Sequence, residues 1–432
     1  MEHLRKVLHG REIVEEYRTK TKYFNRERLL TFVPLVVLML RGHKLALQNA
    51  LNKTFKEMGK MDRLPTAGAY SQARRKVKAE VFSYLNEVVC ADYYRLGGTE
   101  AGVKLWHGRR LVGYDGTDLN LPDTAAMRAA YSVQRNQHTS YVQAEAGVLY
   151  DLLNHMGLGA ALGAVGSEQA LLQEKLWERT QAGDVLVLDR NFRDYALYAR
   201  AVQSGRDVIA RCARNGLSAV QAFWASDDVE QEVELTMSQS ATSQRQVRAQ
   251  GLPTTLRVRL LKYILPTGES EVLLTTLLDS TAFPREDIYQ VYGWRWRQET
   301  YFGRIKSIFE VERFSGKSPE VIQQDFFGVI FLATLESILT HQPQEELRKR
   351  DEQRASQTPS LVNRAISYVA LVDRAVALLA DLQANTQDVL RELHALFLTN
   401  PTHHRPGRST PRKILKHSRR LRYHQYGKRI NA

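Results

Sequence analysis

Apolar residues recur at spacings of three and four over Arg26 to Arg41, Leu45 to Gly59 and Ala69 to Tyr94, with breaks at Gly42 and at Arg63 to Thr66. That is the period of amphipathic helices, so residues 1–100 are predicted to form a small helical domain. From Arg109 the period changes. Arg110 to Asp115 and Val142 to Leu152 read as strands, Ser167 to Arg179 as a helix, Val185 to Leu188 as a buried strand, Asp194 to Ser204 as a helix and Val208 to Arg211 as a further strand. Strands alternating with helices predict an α/β core over residues 101–320. Within it, Gly216 to Asp279 turns to β-rich alternation, as in Thr255 to Leu265, the turn Pro266-Thr-Gly268 and the run Glu271 to Leu278. This predicts an inserted β subdomain at about 214–280. Helix resumes at Arg285 and runs past Lys306, and the very apolar Asp325 to Leu339 predicts a buried helix. Pro343 to Ser360 is polar and charge-dense, a loop or an exposed helix end, and Leu361 to Phe397 is helical again, so 321–400 reads as a C-terminal helical region.

Charge changes the picture at both ends. Residues 1–100 carry 19 basic and 11 acidic side chains, residues 101–399 carry 32 and 36, and residues 400–432 carry 10 and none, within a formal net charge of +14. Positive ends around an acidic middle predict a polyanionic partner, nucleic acid being the commonest, although on charge alone a merely solubilising tail at 401–432 is an equal alternative. Arg74, Arg75, Lys76 and Lys78 fall on about two helical turns ahead of an apolar stripe of Val77, Val81, Phe82 and Leu85. Such a helix packs one face and offers the other to phosphates; an ordinary solvated face is the alternative.

The 432 residues exceed one ordinary domain, and a composition of 43% hydrophobic and 25% charged residues is that of a folded, water-soluble chain. Cys90 and Cys212 show no paired spacing, so neither a disulfide framework nor a thiolate zinc site is predicted, and a reducing cytoplasm fits. The apolar run Leu29 to Leu40 is about half the roughly 20 residues a bilayer span needs, the start does not read as a secretory signal, and no membrane partner is expected.

Phosphodiester chemistry at neutral pH needs charge neutralisation at phosphorus and an activated water or hydroxyl, which two divalent ions about 4 Å apart supply. Hard cations such as Mg²⁺ prefer carboxylate oxygens. Three positions look built for this. Asp115 ends an apolar strand and precedes Gly116-Thr117, where the chain can turn; Asp189 follows the buried run Val185 to Leu188 and precedes Arg190; Glu299 lies on a helix among aromatic and basic residues. Singly, an Asp after a strand is more often a cap or turn residue. Tyr292, Arg295, Glu299 and Lys306, however, stand in the pattern Y-x2-R-x3-E-x6-K, and on a helix these steps place all four on one broad face. That face offers a metal ligand flanked by phosphate binders.

With these residues the chain resembles the DDE transposases of bacterial insertion sequences, in particular the insertion-sequence-four-like family, whose signature is this Tyr, Arg, Glu, Lys spacing. Tyr114-Asp-Gly-Thr117 with Leu121 to Thr124, and Leu188 to Phe192, match the blocks around the first and second Asp. The resemblance implies a ribonuclease H-like (RNase H-like) core with the first Asp on the opening strand, the second after the fourth strand and the Glu on a later helix. It also selects Asp115 over Asp118. It implies DNA handling near the cut by Tyr292, Arg295 and Lys306, two Mg²⁺ ions with Mn²⁺ as substitute, and double-stranded DNA as partner, both terminal inverted repeats and target. A homodimer pairing two ends is implied as well, in the bacterial cytoplasm at the nucleoid. One departure stands out: a Trp that some family members carry just before a Leu-Leu-Thr run is absent here, where Glu271-Val-Leu-Leu-Thr275 stands. Trp294 and Trp296 lie beside the catalytic face, with core packing expected for at least one. The rival reading is a DNA-binding descendant of a transposase that no longer catalyses.

Overall fold

The buried run Leu111 to Tyr114 opens a strand that does not stop at Asp115 but continues to Leu121 (β1, Leu111–Leu121). Chain order then gives β2 (Ser132–Arg135), β3 (Ser140–Asp151), β4 (Met156–Gly163), β5 (Val185–Leu188), β6 (Asp207–Arg211), β7 (Glu230–Thr236), β8 (Thr255–Ile264) and β9 (Ser270–Thr275). This computed structural model describes residues 1–26, 28–41, 46–97, 102–137 and 139–403; the basic tail beyond His403 lies outside the described residues.

Among the described residues these strands form one nine-stranded mixed sheet in the order β2-β3-β1-β5-β6-β9-β8-β7, with β4 also on β3. β1, β3 and β4 are antiparallel neighbours, whereas β5 is parallel to β1 and β6 to β5. Three antiparallel strands followed by two parallel ones, with helical segments after β4 and β5, fit an RNase H-like core. Asp115 lies on its opening strand, and Asp189 follows β5, the fourth in chain order of the strands β1, β3, β4, β5 and β6.

The sheet departs from the sequence expectations in three places. The chain does not turn at Gly116-Thr117, because both residues stay paired with β3, Gly116 with Gly147 and Thr117 with Ala146. β4 is not legible in the sequence, because Met156-Gly-Leu-Gly-Ala-Ala-Leu-Gly163 lacks the β-branched alternation of a strand. Its glycines admit close packing instead: a Cβ on Gly159 would lie 2.9 Å from Arg179 Cγ. The β-rich stretch after β6 holds β7, β8 and β9 together with helices Ser218–Ala225 and Ala241–Ala249. Its strands extend the core sheet: β9 pairs antiparallel with β6, Ile209 opposite Thr275. β9 is buried on both faces from Glu271 to Thr275, as an interior strand must be.

The helices before residue 100 do not stand apart. Leu4, Leu8, Phe32, Leu35, Val81 and Phe82 share one buried core with Ile330, Phe331, Leu371 and Leu379 from the C-terminal side. The helix Glu80–Leu96 packs along the 35-residue helix Pro319–Gln353. That long helix runs through Pro343, so of the two readings of the charge-dense stretch the helix end holds as far as Gln353. It holds an 18-residue window apolar enough to cross a membrane by length and composition, but 67% of that window is buried inside the protein, as a core helix requires. Beyond it, Leu361 to Phe397 is not one helix. Ser360–Val362 pairs with Pro401–His403, and Arg364–Ala375 and Thr386–Thr399 are separate helices, the second capped by Asn385 Oδ1 accepting from Gln387 N at 3.1 Å.

Candidate active site

β1 and β5 are paired only from Leu111 to Gly113, opposite Val185 to Val187. Beyond Gly113 the two strands part, and the edge of β1 opens beside the carboxyl end of β5. In α/β sheets this is where ligands bind. Asp115 lies on the opened stretch of β1 and Asp189 in the turn after β5, its Oδ1 accepting from Asn191 N at 2.8 Å.

Glu299 arrives on the helix Trp296–Ser307. The helix expected to be continuous from Arg285 is interrupted at Trp294 and Arg295, so Tyr292 belongs to the preceding helix Arg285–Gly293. Two bonds fasten the second helix to β3 and its end: the fully buried Gln298 donates from Nε2 to Val148 O at 2.8 Å, and Arg297 donates from Nη1 to Leu152 O at 2.8 Å. Gly113 permits that approach, since a Cβ there would lie 2.6 Å from Gln298 Oε1. Arg295 then reaches across, donating from Nη2 to Glu299 Oε1 at 2.8 Å and from Nη1 to Asp115 Oδ2 at 3.4 Å. Lys306 donates from Nζ to Thr117 Oγ1 at 2.7 Å and to Asp118 O at 2.8 Å, tying the far end of the helix to β1.

Electrostatics at this edge are strongly coupled. Burial pushes the Asp115 carboxyl above its ordinary value, opposed by Arg295 and the Gly116 N–H and reinforced by Asp189. Glu168, at the start of the helical segment after β4, is pushed up to about 8 by burial and then by Asp115, Asp189 and Glu145. Sequence reasoning missed both Glu168 and Glu145. Neither belongs to a spacing pattern, and an acid in the first turn of a helix reads as an ordinary cap.

The other predicted residues divide. Tyr292 is 7% exposed and its phenol is pushed up to about 12, first by burial; it lies against Arg295, so it backs that side chain and does not face solvent. Arg190 is exposed beside Asp189. Arg74 is not a surface cation: it is 4% exposed and donates to Gln324 Oε1 at 2.8 Å, Ser315 Oγ at 2.5 Å and Asp325 Oδ1 at 2.9 Å. The helix expected over Ala69 to Tyr94 breaks between Arg74 and Glu80, because Val77 forms a bridge to Arg18 and Lys78 N donates to Tyr17 O. The four cations therefore do not share one helical face. Arg75 and Lys78 are exposed, Lys78 Nζ donating to Glu16 O at 2.7 Å, and Lys76 lies over the Tyr23 ring. Of the two tryptophans, Trp294 is partly buried under Arg297, while Trp296 is 63% exposed.

Among the described residues no three His, Cys, Asp or Glu side chains converge closely enough to hold a metal ion. The arrangement nevertheless fits a hard dication. The donors at the β1 edge are carboxylates, and Arg295 already holds positive charge between Asp115 and Glu299. A Cβ on Gly116 would occupy the cradle between Glu145 Oε1, 2.9 Å away, and Glu168 Oε1, 3.1 Å away.

The chain is 24% identical over 237 residues to the transposase InsG for insertion sequence element IS4 of Escherichia coli (strain K12), covering 53% of this chain and 52% of that protein, so the match spans about half the relative's length. Among solved structures, the piggyBac transposase in a synaptic complex with hairpin DNA superposes with a TM-score of 0.42 at 10% identity, covering 94% of this chain and 86% of that one. The family model described as "Transposase DDE domain" matches residues 106–335, a span that begins just before β1 and includes Asp115, Asp189 and Glu299. The chain belongs to that family of DDE transposases.

Proposed function

We propose that this protein is a metal-dependent transposase that cleaves DNA at the terminal inverted repeats of a mobile element and joins the freed 3′ ends to target DNA, with Asp115, Asp189 and Glu299 as its catalytic carboxylates. The observation that carries this reading is Arg295, whose guanidinium bridges Asp115 and Glu299 from two distant parts of the chain at the open edge of β1. Divalent ions bound there, Mg²⁺ or in its place Mn²⁺, would neutralise the phosphate and activate water or the 3′-hydroxyl.

The chain's own residues do the positioning. Gln298 and Arg297 fix the helix that presents Glu299. Arg295, Lys306 and the exposed Arg190 supply cations for the DNA backbone on either side of the cut, and Tyr292 holds Arg295 from below. The strands β7 to β9 with their two helices are read as an insertion into the RNase H-like core. The helices before residue 100 and after residue 320, sharing one core, form the body that holds double-stranded DNA and pairs two copies in a homodimer, within the cytoplasm at the nucleoid.

The test is a strand-transfer assay on a duplex carrying the inverted repeats that flank the gene, with Mg²⁺ or Mn²⁺. The wild type is expected to cleave and join, and Asp189→Asn to do neither at a detectable rate. Full activity in that variant ends the three-carboxylate assignment; binding without cleavage by the wild type identifies the silent DNA-binding descendant instead.

A further inference from the structure

The three-carboxylate reading leaves Glu168 without a role. Its Oε1 accepts from Gly116 N at 2.8 Å, and the same N–H donates to Asp115 Oδ1 at 2.9 Å. One backbone donor thus joins two carboxyl groups. The position is fixed by its own backbone: Tyr114 Oη donates to Glu168 O at 2.7 Å, and the N–H groups of Gly166, Ser167 and Glu168 face the Glu145 carboxyl and oppose the upward push of burial on it. The first turn after β4 is therefore tied to β1 and lies beside Glu145 of β3.

Glu145 itself is 9% exposed, and its Oε2 has no partner among the described residues. Glu145 and Glu168 converge on the one residue of β1 beyond Gly113 that has no side chain, Gly116. Carboxylates gathered at one edge and partly shielded from water repel one another unless a cation or a shared proton lies between them. Arg295 answers the charge of Asp115 and Glu299. Among the described residues no Lys, Arg or His forms an ion pair with Glu168.

We propose that Glu168 is a fourth carboxylate ligand of the divalent-ion site at Asp115, with Glu145 as the residue that positions it through the backbone of residues 166–168. The inference rests on the reading of Asp115 as a metal ligand. It assigns the open edge of β1 a ligand from each face of the sheet, Asp115 from one and Glu168 from the other.

Mn²⁺ binding by the full chain, alone and with a short DNA duplex, followed by the electron paramagnetic resonance signal of free Mn²⁺, tests this together with thermal melting. Glu168→Gln keeps an acceptor for Gly116 N–H and removes the charge. Its Mn²⁺ affinity is expected to fall by at least about tenfold. The metal-free melting temperature should hold, because the acceptor for Gly116 N–H is kept. Unchanged Mn²⁺ affinity in Glu168→Gln, with affinity abolished in Asp115→Asn, overturns the role of Glu168 and leaves the three-carboxylate reading standing. Unchanged affinity in both variants overturns the two together. A lowered metal-free melting temperature with wild-type Mn²⁺ affinity makes Glu168 a structural cap. If Glu168→Gln does not fold, Glu168→Asp, which withdraws the charge by one methylene, makes the same distinction.

Discussion

Arg74→Met separates two accounts of a residue that, in sequence, looks like a phosphate contact. In the structure its guanidinium bonds to Gln324, Ser315 and Asp325, and the side chains of Arg74 and Asp325 are 5% and 14% exposed. Methionine fills much of the same volume but leaves the Asp325 carboxylate in a half-closed site without its cation. Breaking a buried pair by removing one partner costs about 3–5 kcal/mol. The lower end applies here, because Ser315 N and Oγ still donate to Asp325. An unfolding entropy of roughly 2.1 cal/mol/K per residue gives about 0.9 kcal/mol/K for this chain if it melts as one unit. The melting temperature should then fall by about 3 °C, while the slope of log K for DNA against log salt should stay as in the wild type. A phosphate-binding arginine behaves oppositely: its removal takes about 0.9 from the slope and leaves stability untouched. That second result, read by calorimetry and by fluorescence anisotropy across a salt series, would refute the structural assignment.

Gln298→Leu removes the donor that Gln298 offers to Val148 O in a fully buried position, so about 1–3 kcal/mol of stability should be lost. Strand transfer should fall with it, since Glu299 is the next residue on the same helix; a variant that melts lower but transfers at the wild-type rate would show that this anchor does not set the position of Glu299. Deleting residues 405–432, where basic side chains stand without any acidic ones, should flatten the salt dependence of DNA binding by about 0.9 for each phosphate that the tail neutralises. An unchanged slope removes the tail from the interface.

What was legible in the sequence followed from local periodicity. The apolar runs of β1, β5 and β6 and the helices between them have the expected order, because each element advertises its own burial pattern. Legibility ended where a residue's role depends on a distant partner. Arg74 reads as basic surface, yet the helix that buries it lies some 250 positions on, with Gln324 and Asp325. β4 hides behind its glycines, whose value lies in what approaches them from elsewhere in the chain. The β-rich stretch after β6 reads as a unit of its own because its alternation begins afresh, while its register against β6 is a tertiary fact. At the site, the Tyr, Arg, Glu and Lys spacing picks out Glu299 and Arg295 correctly as neighbours but not the break that buries Tyr292. Glu168 has no spacing to announce it.

The choice between Asp115 and Asp118 turns on one backbone fact. Had the chain turned at Gly116-Thr117, the two acids would have no fixed relation. Because β1 continues to Leu121, alternation assigns them to opposite faces. Asp115 and Thr117 face the helix that carries Glu299, where Arg295 and Lys306 meet them. Asp118 pairs in register with Glu145 and shares its face with Gly116 and Tyr114. Residues on opposite faces of a closed sheet cannot reach one another, so acids from both faces can meet only where the sheet opens. That place is the edge of β1 beyond Gly113, where β5 leaves it. The early separation of β1 from β5 is thus what lets Glu168 and Asp115 share the Gly116 N–H, and it follows that a substitution at Gly116, the residue of the edge on which Glu145 and Glu168 converge, should disturb the carboxylates of both faces at once.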